Sequence, residues 1–320
     1  MRLLRSTPLV ALLLILLLGA VLIAFSAGAA RITPNPSAAA TPTGPIPALS
    51  HVFVIVLENT AFDDVVGNKD ASYLNTLAHQ YAMAEQYYGV AHPSLPNYLA
   101  LIGGDTFGIA SDCTDCFVNK PNLVDQLEAN GKSWKAYMES MPNPCFVGDA
   151  PPLYRQKHNP FIYFDNIRND PERCGKLVPF TQFQTDLAAN TLPNFVWITP
   201  NMCHDAHDCP VSAANAWLQG VIPQILNSPA WKDNGALFIT FDEGEKLDGG
   251  GCCQYSQGGH IATLVISPLV PAGFRSNVGY SHYSLLRTIE TAWGLAPLGK
   301  AACNCSPTMA DFFARTSAQP

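Results

Sequence analysis

"HVFVIVLENT", residues 51–60, holds six consecutive apolar residues, Val52–Leu57, and then stops on a carboxylate and an amide, Glu58 and Asn59. A run that is apolar at odd and even positions alike belongs to a strand covered on both faces, as in parallel sheets sandwiched between helices. Similar runs recur at 195–199, 236–241 and 262–267. Helical spacing of apolar residues marks 73–81, 95–102, 123–130, 213–226 and 283–293. Strands alternating with helices imply an α/β fold: a mostly parallel central sheet with helices on both faces. In such sheets ligands gather beyond the carboxyl ends of the strands, so the polar residues just after each run matter most.

The chain has 320 residues, enough for one large α/β domain. Only 13% of them are charged and the formal net charge is -7, which argues against a nucleic-acid partner. Arg2 and Arg5 precede an apolar run at 9–25, and Ala27-Gly28-Ala29 follows as a small-residue cleavage pattern. Residues 1–29 therefore read as an export signal. The alternative is an uncleaved anchor holding the protein outside, since about 20 apolar residues span a bilayer. Residues 30–48, rich in Pro, Ala and Thr, read as a flexible tether, and 49–320 as a single catalytic domain, expected to be monomeric. Ten cysteines suit an oxidising compartment. The Cys113/Cys116 pair has no partner motif that completes a zinc site, so disulfides are expected, with their connectivity open. The segment 105–179, rich in Pro, Asn and Cys, is expected to form loops or a small cap over one sheet edge.

Acidic residues crowd the expected carboxyl edge. Glu58 and Asn59 follow the first run; Asp242, Glu243 and Glu245 follow the run at 236–241; "CHDAHDC" with His204, Asp205, His207 and Asp208 follows the run at 195–199; and His260 precedes the run at 262–267. Converging carboxylates repel unless a cation or proton compensates them. Glu58, Asn59, Asp242 and Glu243 form a hard-oxygen set that suits one divalent ion, magnesium, calcium or manganese ahead of zinc. Taken alone, Glu58 reads as a helix cap or an ion-pair partner, and His204 and His207 as residues of a solvated loop. His79, His158 and His282 read as structural or surface residues.

Ser94 stands just before an apolar helical stretch in "AHPSLPNYLALIGG", residues 91–104. A serine at a helix N-terminus sits where free N–H groups favour an anion; the competing reading is a plain N-cap. Beside a cation it would be a nucleophile toward phosphorus and also a metal ligand. No G-x-S-x-G elbow, G-x-x-x-x-G-K-[ST] or G-x-G-x-x-G occurs, which disfavours the common serine esterases and nucleotide-binding folds.

"VIVLENTAFDDVVG", "HPSLPNYLALIGG", "ITFDEGE", "GGHIATLVISPLV" and "HYSLLRTIETAWGL" together resemble the bacterial phosphoesterase family of secreted acid phosphatases and phospholipases C, within the alkaline phosphatase superfamily. The resemblance runs from about residue 51 to residue 298 and is nearest to secreted acid phosphatases described as phosphatidylinositol-3-phosphatases. It implies that Glu58-Asn59 and Asp242-Glu243 are two metal-binding pairs. It also implies that Ser94 is a nucleophile forming a phosphoserine, as in the similar "TFPNH" turn of nucleotide pyrophosphatases. His260 matches the histidine after the second acidic pair. His204 and His207 fall where two-metal relatives hold a second zinc, but no D-x-x-x-H pattern is present here. His92, His204 or His260 would stabilise phosphoryl charge, and one of these histidines would act as general acid, with activity greatest at mildly acidic pH.

The expected substrate is a phosphomonoester, phosphoinositides such as phosphatidylinositol 3-phosphate included. The rival readings are a phospholipase C acting on phosphodiesters and an inactive binding protein of the same fold. Contact with a membrane surface would come through a lipid substrate or the N-terminal anchor. The aromatics Trp134, Tyr137, Phe146, Tyr154, Phe161, Tyr163 and Phe164 are either core or walls of a lipid-headgroup site.

Overall fold

The computed structural model describes residues 45–244 and 250–314. The expected export signal, most of the tether, and Glu245 lie outside the described residues.

Among the described residues one sheet contains nine strands: β1 Val52–Leu57, β2 Ala82–Tyr88, β3 Trp134–Met138, β4 Leu177–Pro179, β5 Phe195–Thr199, β6 Ala236–Phe241, β7 His260–Ile266, β8 Phe274–Ser276 and β9 Tyr280–Ser281. The order across the sheet is β4-β3-β5-β1-β6-β7-β2-β8, with β9 also paired to β2. Every pairing is parallel except those of β7, which runs antiparallel to both β6 and β2. All residues of β1, β5 and β6 are buried, because these strands lie inside the sheet with helices on both of its faces.

The main helices, Ser72–Gln80, Ser94–Gly103, Leu123–Ala129, Val211–Asn227 and His282–Ala292, follow the five periodic stretches to within about two residues at each end. Ser94–Gly103 is buried all round, as expected of a helix apolar on every side. Gly104 ends it in the left-handed region at φ 70, where a Cβ would come within 2.4 Å of the Leu298 carbonyl oxygen, so only glycine fits that stop.

The 105–179 segment corrects an expectation. Besides loops and the expected helix Leu123–Ala129 it supplies the strands β3 and β4, which extend the sheet beyond β5. β3, "WKAYM", is short and interrupted by Lys135, so it lacks the unbroken apolar run that marks a central strand. The aromatics of this segment are core: Tyr137, Phe161, Tyr163 and Phe164 are fully buried, Trp134 and Tyr154 nearly so, and Phe146 packs on them partly covered.

All ten cysteines pair, as Cys113–Cys116, Cys145–Cys174, Cys203–Cys209, Cys252–Cys253 and Cys303–Cys305. No described helix is long and apolar enough to cross a membrane.

Candidate active site

Parallel register carries β5, β1 and β6 to one edge together. Leu57 lies beside Phe241, so Glu58 and Asp242 are the next residues on neighbouring strands. The Asp242 N–H donates to the Leu57 carbonyl at 2.9 Å, and the Glu58 N–H donates to the carbonyl of Asp205, in the turn after β5, at 2.8 Å. Asn59 adopts the left-handed region, φ 43; its N–H donates to Asp242 Oδ1 at 3.0 Å and its side-chain amide donates to Glu58 Oε2 at 3.4 Å. Antiparallel β7 starts at this same edge, and its preceding Gly258 passes so close to the turn after β2 that a Cβ would lie 2.7 Å from the Ala91 nitrogen.

Ser94 is the first residue of its helix and does not cap it. Pro93 occupies the cap position without a side-chain bond, and the Leu95 N–H is taken instead by Asp112 Oδ1 at 3.0 Å. Asn97 draws the preceding turn back onto the helix, accepting the N–H groups of Val90 at 2.6 Å and Ala91 at 3.0 Å. The fully buried Ser94 hydroxyl is thereby free to point at the acidic edge. Its Oγ lies 3.0 Å from Glu58 Oε2 and 3.4 Å from Glu243 Oε1. His92 Nδ1 contacts Glu243 Oε2.

Two cations arrive from 105–179. Lys157 Nζ stands 3.2 Å from Ser94 Oγ, 3.1 Å from Asp112 Oδ2 and 3.4 Å from His207 Nε2. His158 is buried between Glu58 Oε1, 3.1 Å from its Nε2, and Asp205 Oδ2, 3.3 Å from its Nδ1, with the Tyr98 ring stacked on it at 5.4 Å. Tyr98 also donates its hydroxyl to Glu58 Oε1 at 2.7 Å.

Burial dominates the electrostatics of these groups. It works against the charge on His158, yet the Glu58 and Asp205 carboxylates raise the imidazole to about 9. It works equally against Glu58, which the charge and hydrogen bond of His158 nonetheless bring down to about 2. For Asp242 and Glu243 the opposing effects, the Lys157 charge and hydrogen bonds from Asn59 and Ser94, are outweighed. Burial and the Glu58 charge push Glu243 up to about 8, and burial with the charges of Glu58 and Glu243 holds Asp242 well above the usual carboxylate range.

A divalent ion fits this chemistry. Three buried carboxylates crowd together, and the buried Asp242 Oδ2 has no hydrogen-bond partner. The ligands are not gathered around one point, however: among the described residues no group of three or more His, Cys, Asp or Glu side chains has metal-binding geometry. Glu58 and Glu243 instead close on the serine hydroxyl.

Of the expected histidines, His92 and His207 reach this cluster. His204 Nδ1 lies 2.9 Å from Glu139 Oε1, with its ring stacked on Trp217. His260 Nε2 meets the Glu85 carbonyl at 2.8 Å, its ring between Phe62 and Tyr88. His282 is structural: its Nε2 donates to the Asp242 carbonyl at 2.6 Å, Tyr87 holds its other nitrogen, and burial lowers it to about 4. His158 is buried inside the acidic cluster, which removes the surface half of its reading as a structural or surface residue, and Lys157, Asp112 and Tyr98 had no sequence signal beyond being polar. The adjacent pair "KH" inside a loop-rich segment was the one available hint.

The profile described as Phosphoesterase family matches residues 68–296. The chain is 32% identical to a probable acid phosphatase of Kluyveromyces lactis over 79% of this chain and 60% of that one. It is 31% identical to a phosphatidylinositol-3-phosphatase of Mycobacterium tuberculosis over 80% of this chain and 81% of that one. A hemolytic phospholipase C of Pseudomonas aeruginosa is more distant, 23% identical over 76% of this chain and 42% of that one. The chain thus spans about 60% of the length of the fungal acid phosphatases it matches. Among solved structures, a protein of the alkaline phosphatase superfamily from Vibrio parahaemolyticus aligns with TM-score 0.52 and 14% identity, covering 86% of this chain and 76% of that one. A phosphonate monoester hydrolase from Silicibacter pomeroyi aligns with TM-score 0.51 and 11% identity, covering 84% and 78%. These two structures establish the fold alone.

Proposed function

The chain belongs to the phosphoesterase family, and on that premise we propose that it hydrolyses phosphomonoesters as an exported acid phosphatase with Ser94 as its nucleophile. The observation that carries this reading is the buried Ser94 hydroxyl, aimed from a helix N-terminus at Glu58 and Glu243. A carboxylate at hydrogen-bond distance accepts the serine proton, Oγ attacks phosphorus in line, and the leaving alcohol departs from a phosphoserine that water then hydrolyses. His92 and His207 are the histidines beside this cluster and the candidates for protonating the leaving oxygen.

Glu58, Asn59, Asp242 and Glu243 would hold one divalent ion, of a kind suited to hard oxygen ligands, and it would supply positive charge for the phosphoryl oxygens. The named relatives favour phosphomonoesters, phosphoinositides among them, over the phosphodiesters of phospholipases C. Five disulfides support a site of action outside the cytosol, and the domain division into 1–29, 30–48 and 49–320 is part of the same proposal.

Turnover of p-nitrophenyl phosphate by the purified protein tests the reading. Ser94→Ala should lower kcat by at least about 10³-fold while the protein stays folded. Chelation should silence the wild type, and magnesium, manganese or calcium should restore it. An active Ser94→Ala protein would exclude the serine, and chelator-resistant activity would exclude the ion.

A further inference from the structure

Lys157 has a place that the proposed carboxylate and histidine chemistry leaves without a role. Its ammonium is 3.2 Å from the Ser94 hydroxyl, nearer than Glu243, and only 14% of its side chain is exposed. Bringing a lysine head that far out of water is costly unless anions face it, and Asp112 at 3.1 Å and the Glu58 charge do so. A long side chain with four rotatable bonds does not hold one position unaided. Here Asp112 does the holding from both sides: Oδ2 accepts from Lys157, while Oδ1 accepts the Leu95 N–H in the first turn of the helix that bears Ser94. One carboxylate therefore ties the nucleophile's helix and the ammonium into a single rigid unit.

We propose that Lys157 is a catalytic residue, a fixed cation that stabilises the ionised Ser94 oxygen and binds a non-bridging oxygen of the phosphoryl group, with Asp112 as its positioning residue. This rests on the phosphoesterase reading and adds a protein-borne charge to it. During transfer the Ser94 proton passes to Glu58, the nearer carboxylate and the one held ionised, and the Oγ–P bond forms. The bond from phosphorus to the leaving oxygen breaks, and that oxygen takes a proton from a histidine. Lys157 stays protonated throughout, so it alters no atom or electron count. It acts as a preorganised donor where negative charge grows, the kind of group whose removal costs roughly 10²–10³ in rate. The competing role is structural, a counter-charge for the buried carboxylates, and it makes different predictions.

The test measures p-nitrophenyl phosphate kinetics, inhibition by inorganic phosphate and melting temperature for the wild type, Lys157→Met, Lys157→Arg, Asp112→Asn and Ser94→Ala. Lys157→Met should lose about 10²-fold in kcat and weaken phosphate inhibition about tenfold, with Lys157→Arg recovering part of the phosphate affinity. Asp112→Asn, which keeps the lysine but loosens it, should lose several-fold in kcat, and it decides the matter should the methionine variant not fold. A Lys157→Met protein that melts lower yet keeps kcat and phosphate inhibition within about threefold of wild type would overturn the proposal, as would an Asp112→Asn protein of unchanged kcat. The two readings fail separately. An inactive wild type sinks the phosphoesterase function, whereas an active wild type, a dead Ser94→Ala and an unaffected Lys157→Met sink the lysine alone.

Discussion

A buried histidine with a carboxylate oxygen close to each ring nitrogen is held in its charged, doubly protonated form by the two negative charges. His158 stands in that position, fully enclosed between Glu58 and Asp205, and the pair of carboxylates raises it to about 9. Breaking a buried ionic cluster by removing one member costs more than the cluster contributes, because the remaining charges stay buried without a partner. His158→Gln should therefore destabilise the fold by about 3–5 kcal/mol, read from urea unfolding midpoints. A loss under about 1 kcal/mol would mean that the two carboxylates simply take up protons. The residue escaped the sequence because its partners come from different strand ends, and no periodicity or spacing links residue 158 to residues 58 and 205.

At the scale of elements, the antiparallel strand β7 and the helix His282–Ala292 shape the edge that holds the site. Reversal of β7 puts the start of that strand, with Gly258-Gly259-His260, level with the ends of β2 and β6. The helix buries Glu290, whose Oε1 accepts the Leu298 N–H at 2.8 Å and so pins the turn over Gly104. Burial pushes that carboxyl from 4.5 up to about 8. Its folded value is raised, so the stability it confers is complete below about pH 4.5 and is lost as pH rises through about 8, where the unfolded chain ionises freely. Glu290→Gln keeps the acceptor and removes the ionisation. Its melting temperature should match the wild type near pH 4.5 and exceed it by roughly 5 °C near pH 8. A constant gap between the two proteins across that range would show that the carboxyl does not titrate there.

For the molecule as a whole, the disulfides are unequal. Four close loops of six residues or fewer, while Cys145–Cys174 spans 29 and fastens the segment carrying Lys157 and His158 beside β4, where the Cys145 N–H also donates to the Leu177 carbonyl. Loop-closure entropy for that span amounts to about 3–4 kcal/mol. The double variant Cys145→Ser, Cys174→Ser should lose stability of that order, whereas Cys113→Ser, Cys116→Ser should lose distinctly less. Equal losses in thermal melts of the two would remove the argument from loop length.

Local pattern was enough for the four strands β1, β5, β6 and β7, the five main helices and the acidic ends of β1 and β6, because a strand buried on both faces must be apolar throughout and a break in that run marks its end. Ser94 was legible as a helix start for the same reason. What only tertiary structure decided was direction and arrival: that β7 runs backward, that 105–179 adds β3 and β4 to the sheet, and that Lys157, His158 and Asp205 converge on Glu58 and Ser94 while His204 and His260 find other partners. Periodicity reports how one segment meets its own surroundings. Which distant side chains neutralise a buried charge depends on how segments cross, and that is settled only when the whole chain packs.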